Sequence, residues 1–245
     1  TTDADCSFTN NWISKMASCF LNEKINLVSG PVCFTNQSNF FSKIQTLEFL
    51  SLIGSAAGAI GVKKPILCNG ANLAYRRNIF LDFNDYESND ISSGDDVFLL
   101  HSIKKNFSNS IVFINNPDAI VTTEPVKNLN NFLQQRLRWS AKSTSYTDID
   151  TILVSVLVFI INISLIFMSI YSICEPSFFF TFISLFTVKV LIDFVFLIPV
   201  LYFFKRTELI KWILPLQLIY PIYITLISIS SNFLSFNWKD RISKK

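Results

Sequence analysis

The stretch QQRLRWSAKSTSYTDIDTILVSVLVFI, residues 134–160, marks the place where the character of this chain changes. Up to residue 150, charged and polar residues are mixed with short apolar segments, whereas residues 151–238 are almost entirely apolar. This second part accounts for the high mean hydropathy of +0.40. The change predicts a polar domain that is followed by a membrane region.

The membrane region contains three long runs with few or no charged residues, at 151–174, 177–204 and 212–238. As a helix with a rise of 1.5 Å per residue, the first run would extend about 36 Å, enough to cross a hydrocarbon core of roughly 30 Å. Three buried core helices are the alternative, but such runs in succession leave no polar face toward water. We therefore expect about three transmembrane helices over 151–238 and a basic tail over 239–245.

Basic residues are placed unevenly around these runs. Arginines and lysines cluster at 136–142 and 205–211, whereas only Glu175 separates the first run from the second. By the positive-inside rule, this pattern places residues 1–150 on the cytoplasmic side of the inner or plasma membrane. The tail would then lie outside after three crossings, unless the prolines of the third run bend it back, so the side of the tail is left open.

The part before the membrane region alternates between helical and strand-like patterns. Helical spacing covers 10–21, 40–59, 97–105 and 129–142, and strand-like runs cover 25–34, 66–68, 73–75, 111–114 and 119–122. The first of these strand-like runs is interrupted by Gly30-Pro31. Such alternation predicts an α/β fold. We place the α/β domain at 1–127 and an amphipathic helix at the membrane interface at 128–148.

The segment TTDADC at residues 1–6 carries two aspartates, Asp3 and Asp5, one residue apart. In an extended segment, both carboxylates would point to the same side and could face one cation. Mg²⁺ or Mn²⁺ commonly takes one or two carboxylates and completes its shell with water and phosphate oxygens. A solvated turn without a metal is the alternative, because this short pattern is frequent by chance.

The segment SSGDDVFLL at 92–100 places Asp95 and Asp96 just before an apolar helical run. Serine and aspartate commonly cap helix N-termini, which is one interpretation. The other interpretation is catalytic, because a carboxylate is stabilised as an anion at this position and can act as a general base toward a sugar hydroxyl.

The segment QQRLRW at 134–139 carries Gln135, Arg138 and Trp139. Arginine and tryptophan anchor helices at membrane interfaces, which is one interpretation. The functional interpretation places the Arg138 guanidinium on phosphate oxygens and the flat ring of Trp139 against a sugar.

The order of these motifs, followed by apolar spans, resembles the inverting family 2 glycosyltransferases with membrane helices, a group that includes cellulose, chitin and hyaluronan synthases. NGANLAYR at 69–76 also resembles the loop of that family near the acceptor, and NWKDR at 237–241 is similar to its Trp-Lys-Gly-Arg tail, with Asp240 in place of Gly. The resemblance implies a partial GT-A-type α/β domain followed by an all-α transmembrane region. Because the D-x-D turn of these enzymes follows the first half of the GT-A domain, we expect a C-terminal fragment that is inactive alone.

The resemblance also implies a role for each residue on the donor side. Asp3 and Asp5 would hold Mg²⁺ or Mn²⁺ on the diphosphate of a UDP- or GDP-sugar. Asp96 would deprotonate the acceptor hydroxyl, which then displaces the diphosphate in one inverting step. Gln135 and Arg138 would bind the departing diphosphate.

On the acceptor side, the resemblance implies contact with four residues: Trp139, Asp95, Asn69 and Gly70. The acceptor would be a hydroxyl of a polysaccharide or of a lipid-linked glycan. Membrane lipids are expected partners, whereas the modest net charge of +3 does not suggest nucleic acid.

Two other functions are compatible with the residues. A noncatalytic membrane protein, or a degenerate remnant of the family, is favoured slightly by Lys189 and Asp193, because charges within a span often mark a pathway. Their i, i+4 spacing also allows them to pair with each other. A metal-dependent hydrolase is the third possibility. The five cysteines lack CxxC spacing and are expected to be reduced, and the single His101 is expected to pack within or on a helix.

Overall fold

The computed structural model describes residues 1–35, 39–82, 95–234, 236–238 and 241–243. The chain divides into two compact units: Thr1–Pro125 with Tyr146–Thr151, and Val126–Ser145 with Ile152–Lys245. The segment Tyr146–Thr151 groups with the first unit, whereas Val126–Ser145 groups with the apolar helices.

The first unit is a mixed α/β structure, as the alternating pattern predicted. Its strands are β1 (Ser7–Phe8), β2 (Leu27–Ser29), β3 (Val32–Phe34), β4 (Leu73–Tyr75), β5 (Ile111–Phe113) and β6 (Val121–Thr123). Its helices are α1 (Trp12–Ser18), α2 (Phe40–Gly61), α3 (Arg77–Asp82) and α4 (Asp95–Asn106). The strands form two sheets, with the orders β1-β6-β3 and β4-β2-β5.

Each sheet combines parallel and antiparallel pairs. Strand β2 runs parallel to β5 and antiparallel to β4, and β6 runs parallel to β3 and antiparallel to β1. The expected break at Gly30-Pro31 lies between β2 and β3, so one apolar run supplies a strand to each sheet. The Gly30 N–H donates to the Asn72 carbonyl at 2.8 Å, and the Pro31 carbonyl accepts from the Val121 N–H at 3.0 Å.

Side chains that alternate along β2 fill two different parts of the core. Leu27 packs in one apolar cluster with Leu73, Leu100 and Ile103. Val28 packs in another cluster, which includes Met16 of α1 and Ala119. This is the alternation expected of a strand that is covered on both faces. Burying a leucine side chain of this kind contributes about 1.5–3 kcal/mol to the free energy of folding.

Helix α2 is a core helix of the first unit, although it is also apolar enough to cross a membrane. The Asn39 side chain caps it by accepting from the Ser42 N–H at 2.8 Å. The helix packs against β3 and β5, its Leu47 and Leu50 are fully buried, and 56% of its most apolar window is buried. The sheets therefore cover the face that a membrane helix would present to lipid.

One expected strand is absent. Residues 66–68 were predicted to be strand-like, but they have no regular secondary structure. The Ile66 carbonyl contacts the side chains of His101 and Thr151 at 3.1 and 3.2 Å. Side chains from other elements thus take the place of a neighbouring strand.

The second unit is predominantly helical. It contains α5 (Leu129–Ser143), most of α6 (Ile149–Cys174), α7 (Phe179–Phe203) and α8 (Ile213–Ser230). The most apolar windows of the three long segments, Ile149–Cys174, Pro176–Phe203 and Thr207–Ser230, are only 17%, 6% and 33% buried. Such exposed apolar helices, with their backbone groups paired internally, are suited to a lipid environment.

The third apolar run ends as a helix earlier than expected. The sequence predicted helix up to Trp238, whereas α8 ends at Ser230, and β7 (Phe236–Trp238) pairs antiparallel with β8 (Arg241–Ser243). The residues after Ser230 include Asn232, and Phe236 and Trp238 stand two apart, which suits a strand. The helical region is therefore followed by a short terminal hairpin.

Candidate active site

The acidic segment at the start of the chain brings three possible metal ligands together. The carboxylate oxygens of Asp3 and Asp5 and the Sγ of Cys6 all lie within 4.8 Å of one another. A turn forms this group, because the Cys6 N–H donates to the Asp3 carbonyl at 3.1 Å. The expectation of an extended segment was therefore wrong, although both carboxylates are exposed and close together. Cys6 was not predicted, and its position directly after Asp5 was the available signal.

The residues that precede these carboxylates are attached to the 3₁₀ turn Gly70–Asn72. The Thr1 hydroxyl donates to the Gly70 carbonyl at 2.7 Å, and the Leu73 N–H donates to the Thr1 carbonyl at 3.3 Å. Asp3 thus follows a segment that is bound to the turn by backbone and side-chain hydrogen bonds.

Asp96 lies in the first turn of α4 and is bound to the same 3₁₀ turn. Its Oδ2 accepts from the Gly70 N–H at 2.8 Å, and its Oδ1 accepts from the Val97 N–H at 2.9 Å. The carboxylate is partly exposed. The capping and catalytic interpretations therefore both remain compatible with its position, because the side chain contacts backbone donors and is still accessible.

Asn69 and Gly70 already have partners within the unit. The Asn69 Oδ1 accepts from the Ala71 N–H at 3.0 Å and so caps the turn. The Gly70 N–H donates to the Asp96 carboxylate. Their contact with an acceptor stays a prediction. The backbone of Asp95 belongs to α4, but its side chain lies outside the described residues, as do Asp240 and the basic tail residues 244–245.

Two weakly acidic side chains stand close to Asp96. Cys68 is buried, and its Sγ donates to the Asp96 carbonyl at 3.3 Å. Burial, together with the charge of Asp96, raises the pKa of the Cys68 thiol well above its usual range. Burial first, and then the charges of Asp96 and Cys68, also raise the pKa of Tyr146 far above its ordinary value. Both groups are therefore protonated at neutral pH and are poor nucleophiles.

His101 belongs to a polar cluster at the other end of α4, as its expected packing role requires. Its Nε2 lies 3.1 Å from the Ile66 carbonyl and 3.0 Å from the Thr151 hydroxyl. Burial lowers the pKa of His101, although the Ile66 carbonyl and Asp148 act in the opposite direction. The imidazole is therefore neutral at pH 7 and serves to hold Thr151 against α4.

Asp148 joins this cluster through Lys104, at 2.7 Å between Nζ and Oδ2. Its burial alone would raise its pKa, but hydrogen bonds from Lys104 and Thr151 outweigh that effect, so the pKa of Asp148 is lowered. The cluster fixes the segment Tyr146–Thr151 to α4, the helix that carries Asp96.

The three predicted residues of α5 lie in the second unit. The Gln135 Oε1 accepts from a guanidinium N–H of Arg136 at 2.5 Å. The Arg136 guanidinium lies 4.4 Å from the Phe132 ring centroid and 4.2 Å from that of Trp139. Arg138 is partly buried. One face of the Trp139 ring is thus occupied by a cation, and contacts of these residues with a ligand stay predictions.

Arg136 was missed by the sequence reasoning, which counted it only as a positive charge. Arg136 is 3% exposed, and its guanidinium packs against two aromatic rings of the same helix, those of Phe132 and Trp139. Its signal was the spacing of Phe132 and Trp139, four residues before it and three after it, which places all three on one helix face. Phe132 also stacks on Tyr223 of α8, with ring centroids 5.6 Å apart.

An α/β unit with an exposed acidic cluster, in a chain that continues into long apolar helices, defines a membrane-associated α/β protein. The chain belongs to the glycosyl transferase family group 2, whose family model matches residues 1–227. Its two units correspond to a partial GT-A domain followed by a helical region, as the resemblance implied. The family implies glycosyl transfer from a nucleotide-sugar donor to an acceptor. A search of the curated proteins found no match.

Proposed function

We propose that this chain transfers a sugar, with inversion, from a nucleotide diphosphate donor to a hydroxyl of a glycan or lipid-linked acceptor. The observation that carries this proposal is the turn at Gly70, which binds both the segment of Asp3 and the carboxylate of Asp96. An acidic segment suited to a donor diphosphate and a carboxylate suited to an acceptor hydroxyl are thus attached to one structural element.

The donor set of the acidic segment fits a hard divalent cation. Asp3 and Asp5 offer two exposed carboxylates within 4.8 Å of each other, which is the number that Mg²⁺ or Mn²⁺ commonly takes from a protein. Cys6 adds a soft ligand that such ions do not require. When bound, the cation would neutralise charge on the diphosphate leaving group.

Asp96 acts as the general base in this proposal. Its carboxylate takes the proton of the acceptor hydroxyl as the hydroxyl oxygen forms a bond to the anomeric carbon of the donor. The bond between that carbon and the diphosphate oxygen breaks at the same time, and its electron pair leaves with the diphosphate. A single displacement needs only one base, so it does not require the carboxylate pair of a glycosidase.

Residues of α5 bind the two substrates in this proposal. Arg138 and Gln135 contact the diphosphate, and Trp139 contacts the acceptor. The stacking of Arg136 on Trp139 supports a fixed orientation for this ring. The long apolar helices hold the protein in the inner or plasma membrane, and the positive charges at 205–211 support a cytoplasmic catalytic side.

The test is a transfer assay on the full-length protein that contains these residues, in isolated membranes. Radiolabelled UDP- and GDP-sugars are supplied singly, and the products are separated into polysaccharide and lipid-extractable fractions. We expect one donor to label one fraction, and a chelator to stop the reaction until Mg²⁺ or Mn²⁺ is restored. Absence of any labelled product across the panel, from protein that is intact in the membrane, would contradict the proposal.

A further inference from the structure

The turn Gly70–Asn72 places a backbone N–H directly on the carboxylate of Asp96. The Gly70 nitrogen lies 2.8 Å from Oδ2. A Cβ added at Gly70 would lie 3.3 Å from the same oxygen and 3.5 and 3.6 Å from the Cβ and Cγ of Asp96. Glycine is thus the residue that brings its N–H to this distance without crowding the carboxylate.

The turn is itself held in place from the core. Asn72 is fully buried, and its Nδ2 donates to the carbonyls of Pro31 and Ala119, each at 2.8 Å. Its Oδ1 accepts from the Trp12 indole N–H at 2.9 Å. The Gly70 N–H is therefore a preorganised donor, because the residue two positions further on cannot shift without breaking several buried hydrogen bonds.

We propose that Gly70 is a positioning residue for the reaction, whose N–H holds the Asp96 carboxylate in one orientation. This inference rests on the proposed function of Asp96. A general base must hold its oxygen within hydrogen-bond reach of the proton that it removes, and a donor from a fixed element restricts the carboxylate to one such position. Gly70 thereby acts on the reaction through Asp96.

Other groups near Asp96 do not explain the same effect. Cys68 and Tyr146 lie near Asp96, and burial keeps both protonated at neutral pH. The Val97 N–H also donates to the carboxylate, but it belongs to the same helix as Asp96. The Gly70 donor comes from a different element and so fixes the carboxylate relative to the segment of Asp3.

Replacing Gly70 by proline tests the role of the N–H. Position 70 is the first residue of a 3₁₀ turn, and Asn69 before it is extended, so proline is compatible with the backbone on both counts. In the full-length enzyme in membranes, we expect Gly70→Pro to lower kcat by at least about 10- to 100-fold, because proline removes a hydrogen bond to a charged group and its Cδ displaces the carboxylate from that position. The KM for the donor should change little, because the donor diphosphate is bound by other residues in this proposal.

Gly70→Ala retains the N–H and should lower kcat less than Gly70→Pro does. Gly58→Ala is the matched control, because Gly58 is exposed on α2 and its added Cβ meets nothing within 4 Å. That variant should keep the activity of the unaltered enzyme. Thermal unfolding of each variant identifies any that is misfolded. If Gly70→Pro is among them, the test is whether Gly70→Ala, whose Cβ would lie 3.3 Å from Oδ2, lowers kcat in the enzyme that has Asp96 and not in the Asp96→Asn background.

The same substitution in an Asp96→Asn background separates the two proposals. If Gly70 acts through Asp96, Gly70→Pro should lower the rate of Asp96→Asn by less than about twofold, because contacts that act as a unit are not additive. A full additional loss, or a Gly70→Pro enzyme with the same kcat as Gly70→Ala, would overturn the positioning role. An Asp96→Asn enzyme that remains active would instead overturn the proposed base.

Discussion

At the scale of single residues, one buried amide connects much of the first unit. Asn72 bonds to Trp12, Pro31 and Ala119 through its side chain, and its carbonyl accepts from the Gly30 N–H. The sequence indicated a loop at 69–72 but not this contact pattern, because the partners are 41 to 60 residues away along the chain. The bond between Gly70 and Asp96 was hidden for the same reason.

Gly30 tests how tightly this amide is held. A Cβ at Gly30 would lie 2.3 Å from the Asn72 Nδ2, so we expect Gly30→Ala to displace that side chain. The free energy of unfolding should fall by about 1–3 kcal/mol, the usual effect of overpacking a core. Thermal or denaturant unfolding of the detergent-solubilised protein measures it. Gly58→Ala on the exposed face of α2 should instead raise stability by about 0.5–1 kcal/mol, and equal effects of both variants would be inconsistent with this interpretation.

At the scale of elements, periodicity located most of the helices and strands of the first unit. Helix α2 begins at the predicted residue 40, and α4, β4 and β5 lie within two residues of the predicted ranges. Strand β1 was missed because it has two residues and depends on its pairing with β6. The burial of α2 also depends on the sheets, so composition alone could not separate it from a membrane span.

Lys189 and Asp193 of α7 form the ion pair that their spacing allowed. Their Nζ and Oδ2 lie 2.8 Å apart, and Lys189 also contacts Gln217 of α8. Because an unpaired charge within a membrane is unfavourable, Asp193→Leu alone should destabilise the protein by about 2–3 kcal/mol. The double substitution Lys189→Leu with Asp193→Leu should be less harmful than Asp193→Leu. Melting temperatures in detergent compare the two, and a double variant less stable than the single one would contradict a simple pairing role.

The cluster between α4 and the segment Tyr146–Thr151 should make stability depend on pH. The pKa of His101 is lowered by burial from its ordinary value of 6.5, so the unfolded chain binds a proton more readily than the folded one. The stability that the neutral imidazole provides is complete above pH 6.5 and is lost progressively as the pH falls below that value.

Replacing His101 by glutamine should flatten this part of the pH dependence. The melting temperature of the unaltered protein should fall between about pH 7 and pH 5, and that of His101→Gln should fall less over the same range. The contribution of Asp148 appears only near and below its ordinary value of 3.8, because its pKa is lowered further in the fold. Identical slopes for both proteins near pH 6 would show that His101 is not the responsible group.

At the scale of the whole molecule, the change of composition near residue 150 predicted the two kinds of structure. The first unit is α/β, and the segments from Ile149 onward are long apolar helices. The sequence could not show that Tyr146–Thr151 groups with the first unit, because that grouping depends on side-chain contacts such as Lys104 with Asp148. The hairpin of β7 and β8 could not be predicted from the sequence either, because strands of three residues are too short to show a periodic pattern.

The central claim is that Asp96 is the base of a glycosyl transfer. Its most direct test is the transfer rate of Asp96→Asn in the full-length enzyme at saturating donor. The affinity of the same variant for the donor is measured in parallel. Asparagine caps a helix about as well as aspartate but cannot take the proton, so the rate should fall by about 10²–10⁴ while donor binding is nearly unchanged. The control Asp118→Asn, at an exposed carboxylate of the same unit, should remain fully active. An Asp96→Asn enzyme with more than about a third of the normal rate would contradict the account.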